Sequence, residues 1–324
     1  MVTLFKGRFP HGSERLKVAA FLAVPVLVIL FFIAANTLTL GSLLRPAMSA
    51  EALAGWWGRV STAVMGFMIA FGLFYVLLGL SRRAQSYIIW AGLALLAFSM
   101  FYSFDLSFAF IEKKLPFLVS RGVVTTLYVS AISITLAFIF ALIGATAKLS
   151  GIGVLEGIGA FYTSYFRGTP LLVQLFLIYL GLPQIGVVVD PIPAAITALS
   201  LVYGAYMTEI FRSGIQSIGI GQWEAADALG LSRLRTFQLV ILPQSMRVIV
   251  PPTGNQFIAM LKDSSLVSVV GVWDLMFVAR TAGRSEFRIL EMLITASVLY
   301  WIMSIVLELV QKKIEAHYAK SLVR

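Results

Sequence analysis

The sequence GQWEAADALG, residues 221–230, is a polar island between two strongly apolar segments, and VILP follows it at residues 240–243. The whole chain of 324 residues is 59% hydrophobic and 12% charged, with a mean hydropathy of +0.92. These values lie outside the range of a soluble domain, and apolar runs of about 20 residues are typical of membrane-spanning helices. In a membrane protein, such an island predicts a loop that a soluble partner binds.

The island has the sequence features of two short helices. Residues 224–229 favour helix, and acidic side chains in a first turn suit the positive end of the helix dipole. Gly230 fits the position just past the helix end, where a left-handed backbone is needed. Ser232 can cap a second helix, which Pro243 then kinks or ends. The pattern fits an ordinary amphipathic surface hairpin, and it also fits a docking element that transmits force from a partner.

The apolar pattern predicts an all-α polytopic membrane protein with about eight transmembrane helices. We expect these spans at residues 18–40, 62–80, 87–104, 122–148, 169–180, 194–215, from about 248, and 289–311. The first run is longer than a typical signal-peptide core, so we interpret it as a retained span, although small residues at 47–50 leave cleavage as an alternative.

The segments between the spans carry their own signals. Residues 105–121 are interpreted as a polar connection, and residues 151–166 as a glycine-rich piece that lies at the interface or begins the next helix. Thr169 is predicted to cap that helix, with Pro170 at its first position. The run from Pro251 to Asn255 predicts a kink, which either bends the helix or exposes backbone groups that line a cavity.

The net charge of +10 is interpreted as an orientation signal for the spans. Basic residues in the leader and in the loops place both termini in the cytoplasm, together with the polar island: Lys6, Arg8, Arg15, Lys17, Arg82, Arg83, Lys148, Arg233, Arg235, Lys312 and Lys313. We therefore expect no nucleic-acid partner. Five basic residues fall on the outer side instead: Lys113, Lys114, Arg280, Arg284 and Arg288. The three arginines fit contacts to a soluble partner, contacts to anionic lipid, or a solvated loop.

Several kinds of catalytic site are not supported by the residues present. There is no cysteine, and the two histidines, His11 and His317, lie near the termini, so no metal site is predicted inside the membrane. A G-x-x-x-x-G-K-[ST] phosphate loop is also absent, so we do not expect this chain to hydrolyse ATP.

Three motifs together resemble the permease subunits of ABC importers. The first is the island itself, whose family signature matches at Glu224, Ala225, Ala226, Gly230, Val240, Leu242 and Pro243. RGTPLLVQ at residues 167–174 and KDSSLVS at residues 262–268 resemble the polar amino-acid branch of that family. The resemblance runs from about residue 120 to residue 311. It implies a type I importer core of five helices in residues 118–324, preceded by three extra helices in residues 1–117, with a coupling loop at about 216–247.

The resemblance also implies a function. It makes the chain a non-catalytic permease subunit that moves amino acids across the bacterial cytoplasmic (inner) membrane by alternating access. The implied partners are two ATP-binding subunits, which carry ATP and Mg, a second permease that is identical or paralogous, and an extracytoplasmic substrate-binding protein. No cofactor is expected on this chain. The residues implied in ATPase coupling are Glu224, Ala225, Ala226, Asp227, Gly230, Leu242 and Pro243. Alternatives from other classes are a stand-alone secondary transporter or channel, and a membrane scaffold or receptor.

Ionisable and polar residues inside spans are costly, so they are candidates for a substrate path. Glu209 and Arg212 are spaced to pair on one helix face, as a structural pair or as part of the path. Asp263 could bind the ammonium group of an amino acid substrate. Lys262, Ser264 or Ser265 could then bind the carboxylate of that substrate. A gate or an interhelical salt bridge explains Lys262 and Asp263 equally well. The remaining buried polar candidates are Gln174 and Asn255.

Overall fold

The structure, a computed structural model, describes residues 55–102 and 106–319. Within these ranges the chain is helical and contains no strand, as the sequence predicts. The basic leader, the first predicted span and the end of the basic tail lie outside them. We label the described α-helices in chain order: α1 (Trp56–Leu78), α2 (Arg82–Tyr102), α3 (Phe108–Phe117), α4 (Val124–Lys148), α5 (Gly153–Gly168), α6 (Leu171–Phe176), α7 (Pro191–Gln216), α8 (Ile220–Ala228), α9 (Arg233–Thr236), α10 (Leu242–Asp263), α11 (Leu275–Ser285) and α12 (Ile289–Ala319).

The chain divides into two compact units between Asp105 and Leu106, twelve residues before the predicted boundary. The predicted polar connection at 105–121 is wrong from residue 108 onward, because α3 begins there. Ser107 caps α3 by accepting a hydrogen bond from the amide of Phe110. Phe110 and Leu118 are buried while the charged residues between them lie toward the surface, so one apolar face maintains the helix.

Three described helices are long and apolar enough to cross a membrane, at Phe108–Lys148, Pro191–Gln216 and Ile289–Tyr318. Two bent pairs raise the number to five if each pair is one span. Gly153–Gly168 meets Leu171–Ile185 at 105°, and Arg233–Val270 meets Leu275–Ser285 at 52°. Four of the five lie within residues 118–324, where the resemblance implies a five-helix core, and the first begins ten residues before it. The total of eight stays a prediction.

The centre of the second unit is a close contact between α4 and α7. A Cβ atom on Gly144 would lie 2.5 Å from the hydroxyl oxygen of Thr208, and one on Gly204 would lie 2.8 Å from the Cβ of Phe140. Small residues permit this approach, which replaces the hydrophobic driving force that is missing between helices in lipid. The α4–α7 pair is therefore the closely packed centre of this unit.

Proline affects three helix boundaries differently from the prediction. α6 begins at Leu171, after Pro170 at the N-cap, and Thr169 instead ends α5 by donating to the carbonyl of Tyr165. Pro243 lies in the first turn of α10 and so starts a helix, because a first-turn residue needs no amide donor. α10 continues through Pro251 and Pro252, so no helix ends there, and the kink expected at these prolines stays a prediction.

Two of the basic residues predicted on the outer side form ion pairs in the structure. Lys114 forms a 2.9 Å ion pair with Glu286, and this ammonium holds the pKa of the Glu286 carboxylate below its ordinary value. Arg288 forms a 2.9 Å ion pair with Glu291. At about 1.5 Å per residue, this end of α12 lies about 33 Å from Gln311, whose amide donates to the carbonyl of Pro251. These two ion pairs and the polar island are therefore at opposite ends of the unit.

Candidate functional site

The polar island folds into two short helices with a bend at Gly230, as predicted. Gly230 has a φ of +71°, and its amide donates to the carbonyl of Asp227, while the amide of Leu231 donates to the carbonyl of Ala226. This pair of bonds is a Schellman motif, which satisfies the last carbonyls of α8. Ser232 lies at the N-cap position of α9, but its side chain makes no capping hydrogen bond.

The two alanines of the signature point in different directions. Ala225 is exposed together with Glu224 and Asp227, whereas Ala226 is 3% exposed. The resemblance implies a coupling role for both alanines, but only Ala225 lies on the exposed side of α8, and Ala226 is packed against its own chain. The helix α8 that carries it contacts the chain's own π-helical turn, Phe237–Ile241.

Four large apolar side chains on the polar island and in the residues next to it are exposed. Ile220 and Leu229 are 75% and 80% exposed, and Leu234 and Leu239 are 66% and 67% exposed. Exposed apolar side chains that lie beside polar and acidic residues are typical of a protein–protein contact. We call these four residues, together with Glu224, Ala225 and Asp227, the coupling face. Leu242 and Pro243, also predicted for coupling, start α10 next to it, with Leu242 half-buried and Pro243 exposed.

A cavity of about 540 Å³ opens between α5, α6, α7 and α10. Its lining includes Arg167, Gly168, Thr169, Pro170, Leu171, Val202, Tyr203, Tyr206, Gln256, Ala259 and Asp263. The hydroxyl of Tyr203 donates to the carboxylate of Asp263 over 2.7 Å. The guanidinium carbon of Arg167 lies 5.5 Å from the ring centre of Tyr206, a cation–π distance. The cavity therefore carries one anionic and one cationic group, each held against a tyrosine.

A second cavity of about 580 Å³ has a different lining, which includes Thr125, Tyr128, Asp190 and Trp273. Asp190 is its single ionisable acid, and no Lys or Arg lines it. The first cavity is the better candidate for a charged solute because it offers both signs of charge.

Four charged side chains meet beside the first cavity, and we call them the Glu209 cluster: Lys148, Arg167, Glu209 and Arg212. The ammonium of Lys148 donates to Oε1 of Glu209 and also to the hydroxyl of Thr163 over 3.0 Å. Nε of Arg212 donates to Oε2 over 3.0 Å, so the predicted pair of Glu209 and Arg212 is present. Arg167 is the farthest member, with Nη1 4.0 Å from Oε1.

Most of the predicted path residues lie away from this cavity, and Asp263 alone among them lines it. Gln174 is buried, and its amide nitrogen donates to the carbonyls of Phe166 and Thr169 and to the Thr169 hydroxyl. It therefore fixes the bend between α5 and α6. Asn255 accepts a hydrogen bond from Gln311, which joins α10 to α12.

Lys262, Ser264 and Ser265 do not form, next to Asp263, the predicted site for the carboxylate of the substrate. Lys262 is exposed and does not line the cavity. Ser264 is buried, and its hydroxyl donates to the carbonyl of Leu261 over 2.7 Å. Ser265 is half-buried and also lies outside the lining. The cationic group that lines the cavity is Arg167, the first residue of the RGTPLLVQ motif.

The sequence reading missed Arg167, Tyr203 and Lys148 as members of the site. Arg167 stood in a recognised motif, and Lys148 was interpreted as an orientation signal at a helix end. Lys148 and Glu209 are 61 residues apart in sequence. Charged groups at the same membrane depth on neighbouring spans are the signal that could have paired them. In the part of the chain that the structure describes, no three His, Cys, Asp or Glu side chains gather as a metal site would require.

Comparison with known proteins agrees with this arrangement. Residues 133–320 match the family described as "Binding-protein-dependent transport system inner membrane component". The chain is 42% identical over 199 residues to the L-cystine transport system permease protein TcyB of Bacillus subtilis, covering 61% of this chain and 85% of that one. It is 37% identical over 212 residues to the arginine transport system permease protein ArtQ of the same organism, covering 65% and 96%.

A solved structure, "Crystal structure of an amino acid ABC transporter with histidines", matches with a TM-score of 0.62 and 35% identity, covering 66% of this chain and 99% of that one. The methionine transporter MetNI, at 21% identity and a TM-score of 0.54, shares the fold. The matched family covers more than half of the chain and includes both the coupling face and the cavity. This chain belongs to the family of inner membrane components of binding-protein-dependent transport systems.

Proposed function

We propose that this chain is the permease subunit of an ATP-driven importer that carries amino acids across the bacterial cytoplasmic membrane. The observation that carries the proposal is the coupling face, an exposed surface of apolar and acidic side chains on the helical hairpin that carries the family signature. A chain that worked alone would gain nothing from exposing four large aliphatic side chains around this signature. The four need a partner that covers them.

The partners follow from the family and from the absence of a phosphate loop in this sequence. Two ATP-binding subunits, holding ATP and Mg, bind the coupling faces of two permeases, and the second permease is identical or paralogous. A substrate-binding protein delivers the solute at the opposite end, where the Lys114–Glu286 pair lies. Both termini and the coupling face are cytoplasmic. ATP-driven closure of the partners moves α8, and differential affinity for the two ATPase states drives alternating access.

The cavity supports an amino acid as the solute. A zwitterion needs an anionic partner for its ammonium and donors for its carboxylate, and the cavity presents Asp263 and Arg167. Its volume of about 540 Å³ fits within the usual range for small-molecule sites. The names of the relatives point to the same class, since they include cystine, arginine and glutamine permeases.

Reconstitution tests the proposal. The full chain is assembled in proteoliposomes with an ATP-binding subunit and a substrate-binding protein from its own organism, and uptake of labelled amino acids is followed. Uptake that requires ATP and both partners is expected. Equal uptake by this chain without an ATPase would favour a stand-alone transporter or channel and contradict the proposal.

A further inference from the structure

We infer that Glu209 serves as an internal counter-ion that competes with the carboxylate of the transported solute for Arg167. This inference rests on the proposed function and concerns how the cavity binds its solute. In the Glu209 cluster three cations meet one carboxylate, and only Lys148 and Glu209 are less than one-fifth exposed.

The contacts of Glu209 show which cation is least committed. Lys148 occupies Oε1 and Arg212 occupies Oε2, so both carboxylate oxygens already have a close donor. Arg167 reaches Oε1 only at 4.0 Å, the outer limit of an ion pair. A guanidinium has five N–H donors, so this single long pair leaves Arg167, which lines the cavity, with donors for another carboxylate.

The position of Arg167 allows it to exchange partners. Its side chain is 42% exposed, against 17% for Lys148 and 19% for Glu209. It ends α5, just before the bend fixed by Thr169 and Gln174, and it rests over the ring of Tyr206. A cation held by a ring face and a long-range pair can rotate toward a closer carboxylate at small cost, because neither contact is a direct hydrogen bond.

The exchange links the cavity to the coupling face. Glu209 lies seven residues before the end of α7 at Gln216, or about 10 Å along the helix. Nη1 of Arg212 donates to the side chain of Gln216, and α8 of the coupling face begins at Ile220. When a solute carboxylate takes Arg167, Glu209 is left to Lys148 and Arg212, which changes the charge balance at the end of α7 that leads into the coupling face.

Two variants test the inference because they move the affinity for carboxylates in opposite directions. Glu209→Gln keeps the shape and removes the competing charge, so carboxylate binding should tighten by about tenfold. Arg212→Met removes a close partner of Glu209 without touching the cavity lining. Glu209 then attracts Arg167 more strongly, so carboxylate binding should weaken by several-fold.

The measurement uses the full chain assembled with its ATP-binding subunits in nanodiscs, without the substrate-binding protein, so that binding reports on the cavity. The probes are L-arginine and L-glutamine, each compared with its carboxyl amide. We expect L-arginine and L-glutamine to bind more tightly to the Glu209→Gln complex than to the unmodified complex. Their carboxyl amides should bind to both complexes equally. Arg167→Gln should bind each acid and its amide alike.

Several results would overturn the inference. Unchanged or weaker acid binding by Glu209→Gln would show that Glu209 only holds helices together, as would shifts of both variants in the same direction. If Glu209→Gln does not fold, Arg212→Met decides alone, and unchanged or tighter acid binding by it refutes the inference. Failure of the proposed function looks different: the unmodified complex then binds none of the probes and shows no ATP-driven uptake.

Discussion

Gly230 is the position where a single substitution tests the mechanical role of the coupling face most cleanly. Its φ is +71°, and no heavy atom lies within 4 Å of a Cβ built there, so an added side chain costs backbone strain alone. That strain is roughly 1–2 kcal/mol for alanine and smaller for asparagine, which tolerates the left-handed region. Proline cannot adopt this φ and also removes the amide that donates to Asp227, at about 0.5–1.5 kcal/mol more.

The series Gly230→Asn, Gly230→Ala and Gly230→Pro is therefore expected to lower transport in that order. The assay is solute taken up per ATP hydrolysed in proteoliposomes, because a loosened bend lets ATP hydrolysis continue without moving the bundle. About 1.4 kcal/mol corresponds to a tenfold change in the population of the intact bend. Gly221→Ala is the matched control, since Gly221 lies on α8, has equal space and does not need a positive φ. Equal coupling ratios in Gly221→Ala and Gly230→Ala, or normal coupling in Gly230→Pro, would refute the reasoning.

Three further predictions concern the α4–α7 pair, the coupling face and the cavity. Gly144→Ala should destabilise the chain by about 1–3 kcal/mol through overpacking between α4 and α7. Gly157→Ala is the control and should not destabilise it, because the space around Gly157 is open. Melting temperatures measured in detergent distinguish the two variants. Ala225→Phe should weaken ATPase binding in a pull-down while leaving the melting temperature unchanged, because Ala225 is exposed. Ala226→Phe should lower the melting temperature itself, so loss of ATPase binding at an unchanged melting temperature would contradict the buried position described. Asp263→Asn should weaken binding of amino acids to the assembled complex without altering its assembly, and unchanged affinity would make Asp263 a structural partner of Tyr203.

The sequence predicted the elements whose causes are local. Gly230 was placed correctly because a helix end followed by a restart needs a residue that tolerates positive φ. Asp263 was selected because a carboxylate in an apolar helix is rare, and it lines the cavity. The pairing of Glu209 with Arg212 followed from helical spacing, and the structure shows it at 3.0 Å.

The sequence was less informative where tertiary contacts decide the outcome. The start of α3 was hidden by its charged residues, since the burial of Phe110 and Leu118 depends on distant helices. Ala226 is buried, and its helix α8 contacts the π-helical turn that begins eleven residues later at Phe237. Arg167 and Lys148 joined the site through Glu209, which belongs to another helix, and spacing along one helix carries no information about such contacts.

The most direct test of the account measures whether the coupling face is covered in a working complex. The chain contains no cysteine, so Ala225→Cys introduces a single reactive thiol on that face. The rate of maleimide labelling is compared for the permease alone and for the assembled complex with and without ATP. We predict rapid labelling of the permease alone, strong protection after assembly, and a change in protection when ATP binds. Labelling at the same rate in a complex that still transports its solute would contradict the account.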